Sequence, residues 1–191
     1  MIPFELATPL YRVETASDKT FQTRIPLNSR RPPSYVSYLV DNLWEWKRPE
    51  NFPNRRYAVF ANPDCNAIQV DGTCYEVQMF GACKVAQTQE IDARFHADCK
   101  SLPKLVLHCL GRDWPSLTLA EKTTVGALYT PCLSKDEIEH IFQNSILQEH
   151  QTTIGNKITF WQTVTLITPN NPLPYPKGEV FFEAEQWKLK G

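Results

Sequence analysis

Residues 55–62 read RRYAVFAN, with Pro53 two positions ahead and Pro63 directly behind. Proline interrupts helical hydrogen bonding and pushes the residue before it toward extended backbone, so this window favours a short strand over a helix. On a strand, Tyr57, Val59 and Ala61 share one face, and Ala58, Phe60 and Asn62 share the other. Two arginines lead into it. The stretch reads as the central strand of a ligand cleft, around which the other elements are arranged.

Prolines punctuate the whole chain: fifteen against seven glycines, which implies many fixed loops and few left-handed turns. At 191 residues the chain fits a single domain, 1–191, that buries roughly 70% of its unfolded surface without help from a metal or a disulfide. A net charge of -1 argues against a general polyanion binder, so any nucleic-acid role must rest on a local basic patch. Met1 to Glu5 has no basic start, and no stretch approaches a membrane span, so a cytoplasmic protein with no membrane partner is expected. The six cysteines form no Cys-x-x-Cys pair. Metal ligation is therefore not expected, and in the cytosol the thiols should be reduced and mostly buried.

Along the chain, residues 10–14 (LYRVE) read as the first strand, carrying Arg12. Residues 18–33 read as a loop. Residues 34–46 (SYVSYLVDNLWEW) have helical apolar spacing with Ser34 as cap, and Tyr35 is one of several aromatics there able to stack on a flat ring. Residues 73–80 and 82–88 read as two partner strands joined at Gly81. Residues 101–110 read as a helix with Pro103 in its first turn, and two more helices start at the capping boxes Thr118/Glu121 and Ser134/Glu137. Residues 156–168 alternate and read as a long strand, and 179–189 as the last strand.

Two clusters carry chemical meaning. Between residues 24 and 56 lie Arg24, Arg30, Arg31, Lys47, Arg48, Arg55 and Arg56, opposed by only Asp41, Glu45 and Glu50. Arginine forks match phosphate oxygens, so this run suits a phosphate-bearing ligand. On the last strand Glu179, Glu183 and Glu185 share a face. They suit either a solvated edge or a cleft carboxylate that stabilises a cationic sugar ring.

An arginine on the first strand, an aromatic-led second strand and a late Glu-x-Glu together resemble the mono-ADP-ribosyltransferase superfamily, in particular bacterial toxin-like members and the RES-type toxins of toxin–antitoxin loci. The matching residues are Arg12 in LYRVE, Tyr57 to Asn62 in RRYAVFANP, and Glu183 and Glu185 in FFEAE. The resemblance implies an α+β fold with a split antiparallel β-sheet core and flanking helices, and NAD as co-substrate. It implies that Arg12, helped by Arg55 or Arg56, holds the pyrophosphate. Tyr57 or Tyr35 would stack on nicotinamide, Asn62 would lie near it, and Glu183 or Glu185 would be catalytic. The family's Ser-Thr-Ser is replaced by Phe60-Ala61-Asn62. The acceptor would be RNA, DNA or protein, and the toxin likeness implies an antitoxin or inhibitor protein. Two other readings stand beside this one. The first is a non-enzymatic nucleic-acid- or protein-binding module using the basic aromatic segment 24–56. The second is a cysteine enzyme using Cys65 or Cys99 with His96 or His108.

Overall fold

The computed structural model describes residues 2–14, 35–68 and 70–190. Strand β4 (Thr73–Gln87) organises its sheet. Along one edge it pairs with β6 (Val180–Lys190), from Glu76 opposite Lys190 to Gln87 opposite Val180. The other edge takes three short strands in turn. Residues 73–77 pair with β2 (Leu10–Glu14), Met79 and Phe80 with β1 (Pro3–Phe4), and residues 85–87 with β5 (Thr165–Ile167). The short β3 (Val59–Ala61) pairs with the far edge of β6, Val59 opposite Phe182. All pairings are antiparallel.

Just after β3, Asn62 exchanges two backbone hydrogen bonds with Tyr11, at 2.8 and 2.9 Å. That bridge links β3 back to β2 and closes the ring β2–β4–β6–β3. Leu10, Val59, Val77, Met79, Phe182, Trp187 and Leu189 belong to the apolar core of this ring. Among the described residues the fold is α+β, with a six-stranded antiparallel sheet and several helices.

The chain divides into two compact units, each assembled from separated segments. The first holds the sheet: Met1–Leu27, Glu50–Ala93 and Thr163–Gly191. The second, Asn28–Pro49 with Arg94–Gln162, is helical. Its centre is α1 (Tyr38–Lys47), in which every residue from Leu39 to Glu45 is buried, Asp41 and Asn42 included. Asn42 explains why an amide is tolerated there. Its Nδ2 donates to the carbonyls of Leu128 and Thr130, at 2.9 and 2.8 Å, and its Oδ1 accepts from Leu133 N at 3.1 Å. A buried amide satisfied on both sides costs little, and it ties α1 to the link between α3 (Leu119–Gly126) and α4 (Lys135–Gln143). Both capping boxes read from the sequence are formed, at Thr118/Glu121 and Ser134/Glu137.

Five expectations need correction. Residues 73–87 are one strand, not two joined strands; Gly81, at φ +76°, carries a β-bulge where two residues of β4 face Glu185 alone. A Cβ at position 81 would run into the Glu185 side chain, so glycine is required there. Residues 156–168 are not a long strand: α6 (Phe160–Thr163) occupies the middle and only β5 is extended. The Asp98 carboxylate accepts from the backbone N–H groups of Thr159 and Phe160, both at 3.0 Å, and this distant cap starts the helical turn. Tyr57 lies in a turn ahead of β3 rather than on the strand. Helix α2 spans Asp98–Cys109, so Pro103 lies inside it and not in its first turn. Cys65 and Cys74 form a disulfide, which nothing in their spacing signalled. The α1 cap among the described residues is Ser37, which accepts from Val40 N; Ser34 lies outside them, as do Arg24, Arg30 and Arg31 of the basic run and the loop 18–33.

Candidate functional site

β3 lies between the two strands that carry the candidate charges. On one side the Tyr11–Asn62 bridge holds it to β2, and Arg12 Nη1 donates to the Phe60 carbonyl at 2.9 Å. On the other side β6 pairs with β3 through residue 182, and the next residue is Glu183. The Glu183 carboxylate reaches the approach to β3, accepting from Asn54 N at 3.2 Å. That approach is a turn closed by Tyr57 N donating to Asn54 O at 3.0 Å, which leaves the Tyr57 side chain facing solvent. The structure thus gathers Arg12, Phe60, Asn62, the 54–57 turn and Glu183 around one short strand.

Strand alternation sets which side each group faces. Arg12 falls two residues after the core residue Leu10 and is opposite Tyr75, which packs against the core. Glu183 lies between Phe182 and Ala184, both directed to the core, so it stands on the outer side. The guanidinium and the carboxylate therefore leave the ring from opposite faces of their strands. Arg12 also forms an ion pair with Glu14, and both side chains are 31% exposed.

Three of the other candidates are bound into the scaffold. Arg55 is buried; Nη1 donates to Glu179 at 2.9 Å, and the guanidinium lies over the rings of Phe60 and Phe181, at 4.8 and 4.9 Å. Asn62 is buried as well, with Nδ2 donating to Lys177 O and Oδ1 accepting from Asp64 N, both at 2.8 Å. Half-buried Arg56 donates its backbone N–H to Asn54 Oδ1 at 3.0 Å. Glu185 sits at the β-bulge instead, where its carboxylate accepts from Ala82 N at 3.4 Å. Beside it, burial pushes the Cys83 thiol up to about 11, with the Glu185 charge adding to the shift. Tyr35 belongs to the helical unit, 83% exposed and at φ +56°.

His96 was named from the sequence as a partner for a cysteine nucleophile. It is buried, edge-on to Trp44 and Phe160, and its Nδ1 accepts from Asp98 N at 3.1 Å. Cys65, paired with Cys74, has no thiol for nucleophilic chemistry while the bond is intact. Among the described residues no group of three or more His, Cys, Asp or Glu could hold a metal ion, and no helix is long and apolar enough to cross a membrane. A cleft of about 440 Å³ opens beside β1, lined by Phe4, Pro9, Gln78, Phe80 and Lys188 among others, and an apolar cavity of about 360 Å³ lies among Leu107, Trp114, Gly126 and Tyr129. No family model, curated protein or solved structure matches the chain.

Proposed function

We propose that the chain is an NAD-dependent mono-ADP-ribosyltransferase of the toxin-like kind, on a split-sheet fold of that superfamily. The observation that carries this reading is the strand order. β3, led by Tyr57, lies between the Arg12 strand and the Glu183 strand, so the three motif-bearing segments become neighbours although they are far apart in sequence. NAD suits the groups that stay accessible. Arg12 would meet the pyrophosphate with a fork of donors, exchanging its Glu14 partner for a phosphate. Exposed Tyr57 would stack on nicotinamide.

Of the two glutamates, Glu183 is the stronger candidate, because its carboxylate already reaches the turn that bears Tyr57. It would hydrogen-bond a ribose hydroxyl and stabilise the positive charge that grows on the ring. The bond between ribose C1′ and the nicotinamide nitrogen breaks, and its electron pair leaves with nicotinamide. An acceptor nucleophile then bonds to C1′ and gives up its proton. The acceptor is a nucleic acid or a protein.

The opposite facing of Arg12 and Glu183 favours a second reading, a non-enzymatic binding module. One experiment separates them. The protein is incubated with labelled NAD and cell extract, and the products are digested separately with nuclease and protease. Transfer that falls by a factor on the order of a thousand in Glu183→Gln supports the enzyme, that being a typical loss for one transition-state contact. Equal labelling by wild type and Glu183→Gln, or none by either, leaves the binding module.

A further inference from the structure

An apolar cavity of about 360 Å³ opens on the helical unit, lined by Leu107 of α2, Trp114, Gly126 of α3 and Tyr129. Leu107, Trp114 and Tyr129 are all exposed, and the two rings meet edge-on at 6.3 Å between centroids. Single exposed apolar residues are ordinary on a protein surface, whereas several walling one hollow mark a binding surface.

Gly126 is the informative residue. Its backbone is ordinary helix, φ −59° and ψ −25°, and helical turns lie on both sides of it. A glycine there weakens the helix relative to alanine and relieves no strain. Nor does it make room for a neighbour. A Cβ built on it meets, outside its own helix, only Trp114 Cη2 at 4.0 Å. What the missing side chain leaves is space in the cavity. Trp114 is itself held in place. Pro115 restricts the turn at 114–116. Ser116 N and Leu117 N close it by donating to the carbonyls of Asp113 and Trp114, at 3.0 and 3.2 Å, and Leu117 anchors it in the core. The hollow is therefore preformed.

A cation stands at its rim. Lys122 precedes Gly126 by about one turn on the same face of α3. Its Nζ donates to the Pro115 carbonyl at 3.2 Å, next to Trp114, and that bond uses one of the three donors of an ammonium. The neighbouring acid, Glu121, is held by Arg112 and by its own capping box, and Asp113 is exposed on the loop. We propose that this cavity binds a small aromatic carboxylate, its rings against Leu107, Trp114 and Tyr129 over Gly126 and its carboxylate on Lys122. Flat rings suit a lining of tryptophan and tyrosine. The volume lies near the low end of the roughly 300–1,000 Å³ usual for small-molecule pockets, which fits a ligand of one or two rings.

The probe is naphthoate, followed by heteronuclear NMR without NAD, so this proposal and the transferase reading can fail separately. Wild type should show saturable shifts of the Trp114 indole N–H, assigned with Trp114→Phe, with a Kd on the order of 0.1–1 mM. Gly126→Leu is compatible with the helical backbone, fills the cavity and should abolish the shifts without lowering the melting midpoint. If that variant fails to fold, Leu107→Glu, at an exposed position, should abolish them instead. Lys122→Gln should weaken naphthoate by a factor of about 2–5 and leave the uncharged analogue naphthylmethanol unaffected. An absence of saturable shifts in wild type, or shifts that persist when the cavity is filled, would overturn the site. Equal binding of naphthoate and naphthylmethanol, with no effect of Lys122→Gln, would overturn the carboxylate. Indole shifts that follow protein concentration with no probe present would assign the hollow to a second copy of the chain and overturn the proposal as well.

Discussion

Asp98 is 1% exposed, and its carboxylate accepts four hydrogen bonds: from Trp44 Nε1, Thr159 N and Phe160 N at 3.0 Å, and from the Thr159 hydroxyl at 2.7 Å. A buried charge is tolerable only when its acceptor sites are filled, and here they are. The residue also opens α2, where the positive end of the helix dipole favours an anion. Removing the carboxylate would strand four donors and free the start of α6, beneath which Phe160 stacks on Trp44 at 3.9 Å between ring centroids. Asp98→Ala should cost about 3–5 kcal/mol in urea unfolding, a large share of a typical domain's stability. Asp98→Asn should recover more than half of that. Its oxygen can take the three N–H bonds while the Thr159 hydroxyl turns to accept from the new amide. Full recovery by Asn would show that shape matters and charge does not.

At the scale of the element, legibility in the sequence followed how local the cause was. The capping boxes of α3 and α4 were readable because each is closed by residues three apart on the chain. The β6 strand, with Glu183 and Glu185 on one face, was readable from alternation, but strict alternation would put Trp187 on that face too, and it turns to the core with Phe182 because the extra residue in β4 shifts the register opposite Glu185. The α6 turn was missed because its cap comes from Asp98, 62 residues before Phe160 on another helix. The resemblance put Arg12, Tyr57 and a late glutamate in one site, but the sides on which Arg12 and Glu183 emerge follow from closure of the ring, which no local pattern encodes. The Cys65–Cys74 bond was also invisible, and it ties the turn after β3 to the start of β4, where Cys74 is opposite Val13 of β2. Cross-linking a loop this short restricts the unfolded chain by about 2.5–3 kcal/mol. Cys65→Ser/Cys74→Ser should lower unfolding stability by that amount and speed amide exchange most at residues 12–14 and 73–75. A loss spread evenly over β4 would mean that the bond does not act locally on this corner of the ring.

For the molecule as a whole, neither compact unit is a continuous stretch of chain, and this sets how the protein can be cut. The sheet unit is built from three segments. The helical unit takes α1 from one part of the chain and the rest from Arg94–Gln162. Without α1, residues 94–162 lose the Trp44 partner of Asp98 and the Asn42 bonds to Leu128, Thr130 and Leu133. They also lose the apolar face of Leu39, Val40 and Leu43, all at most 1% exposed. Full burial of such side chains is worth roughly 1.5–3 kcal/mol each, so three of them match or exceed the lower end of a domain's net stability. A fragment of residues 94–162 should therefore lack cooperative thermal unfolding, with circular dichroism showing only partial helix. A synthetic peptide of residues 35–49, added in excess, supplies the missing helix. It should restore a sigmoidal melt whose midpoint rises with peptide concentration, as expected when binding is linked to folding. Because Asn42 supplies three of the specific bonds, the same peptide carrying Asn42→Leu should rescue poorly. A fragment that melts cooperatively without peptide would show that α1 is held by the bundle and does not nucleate it.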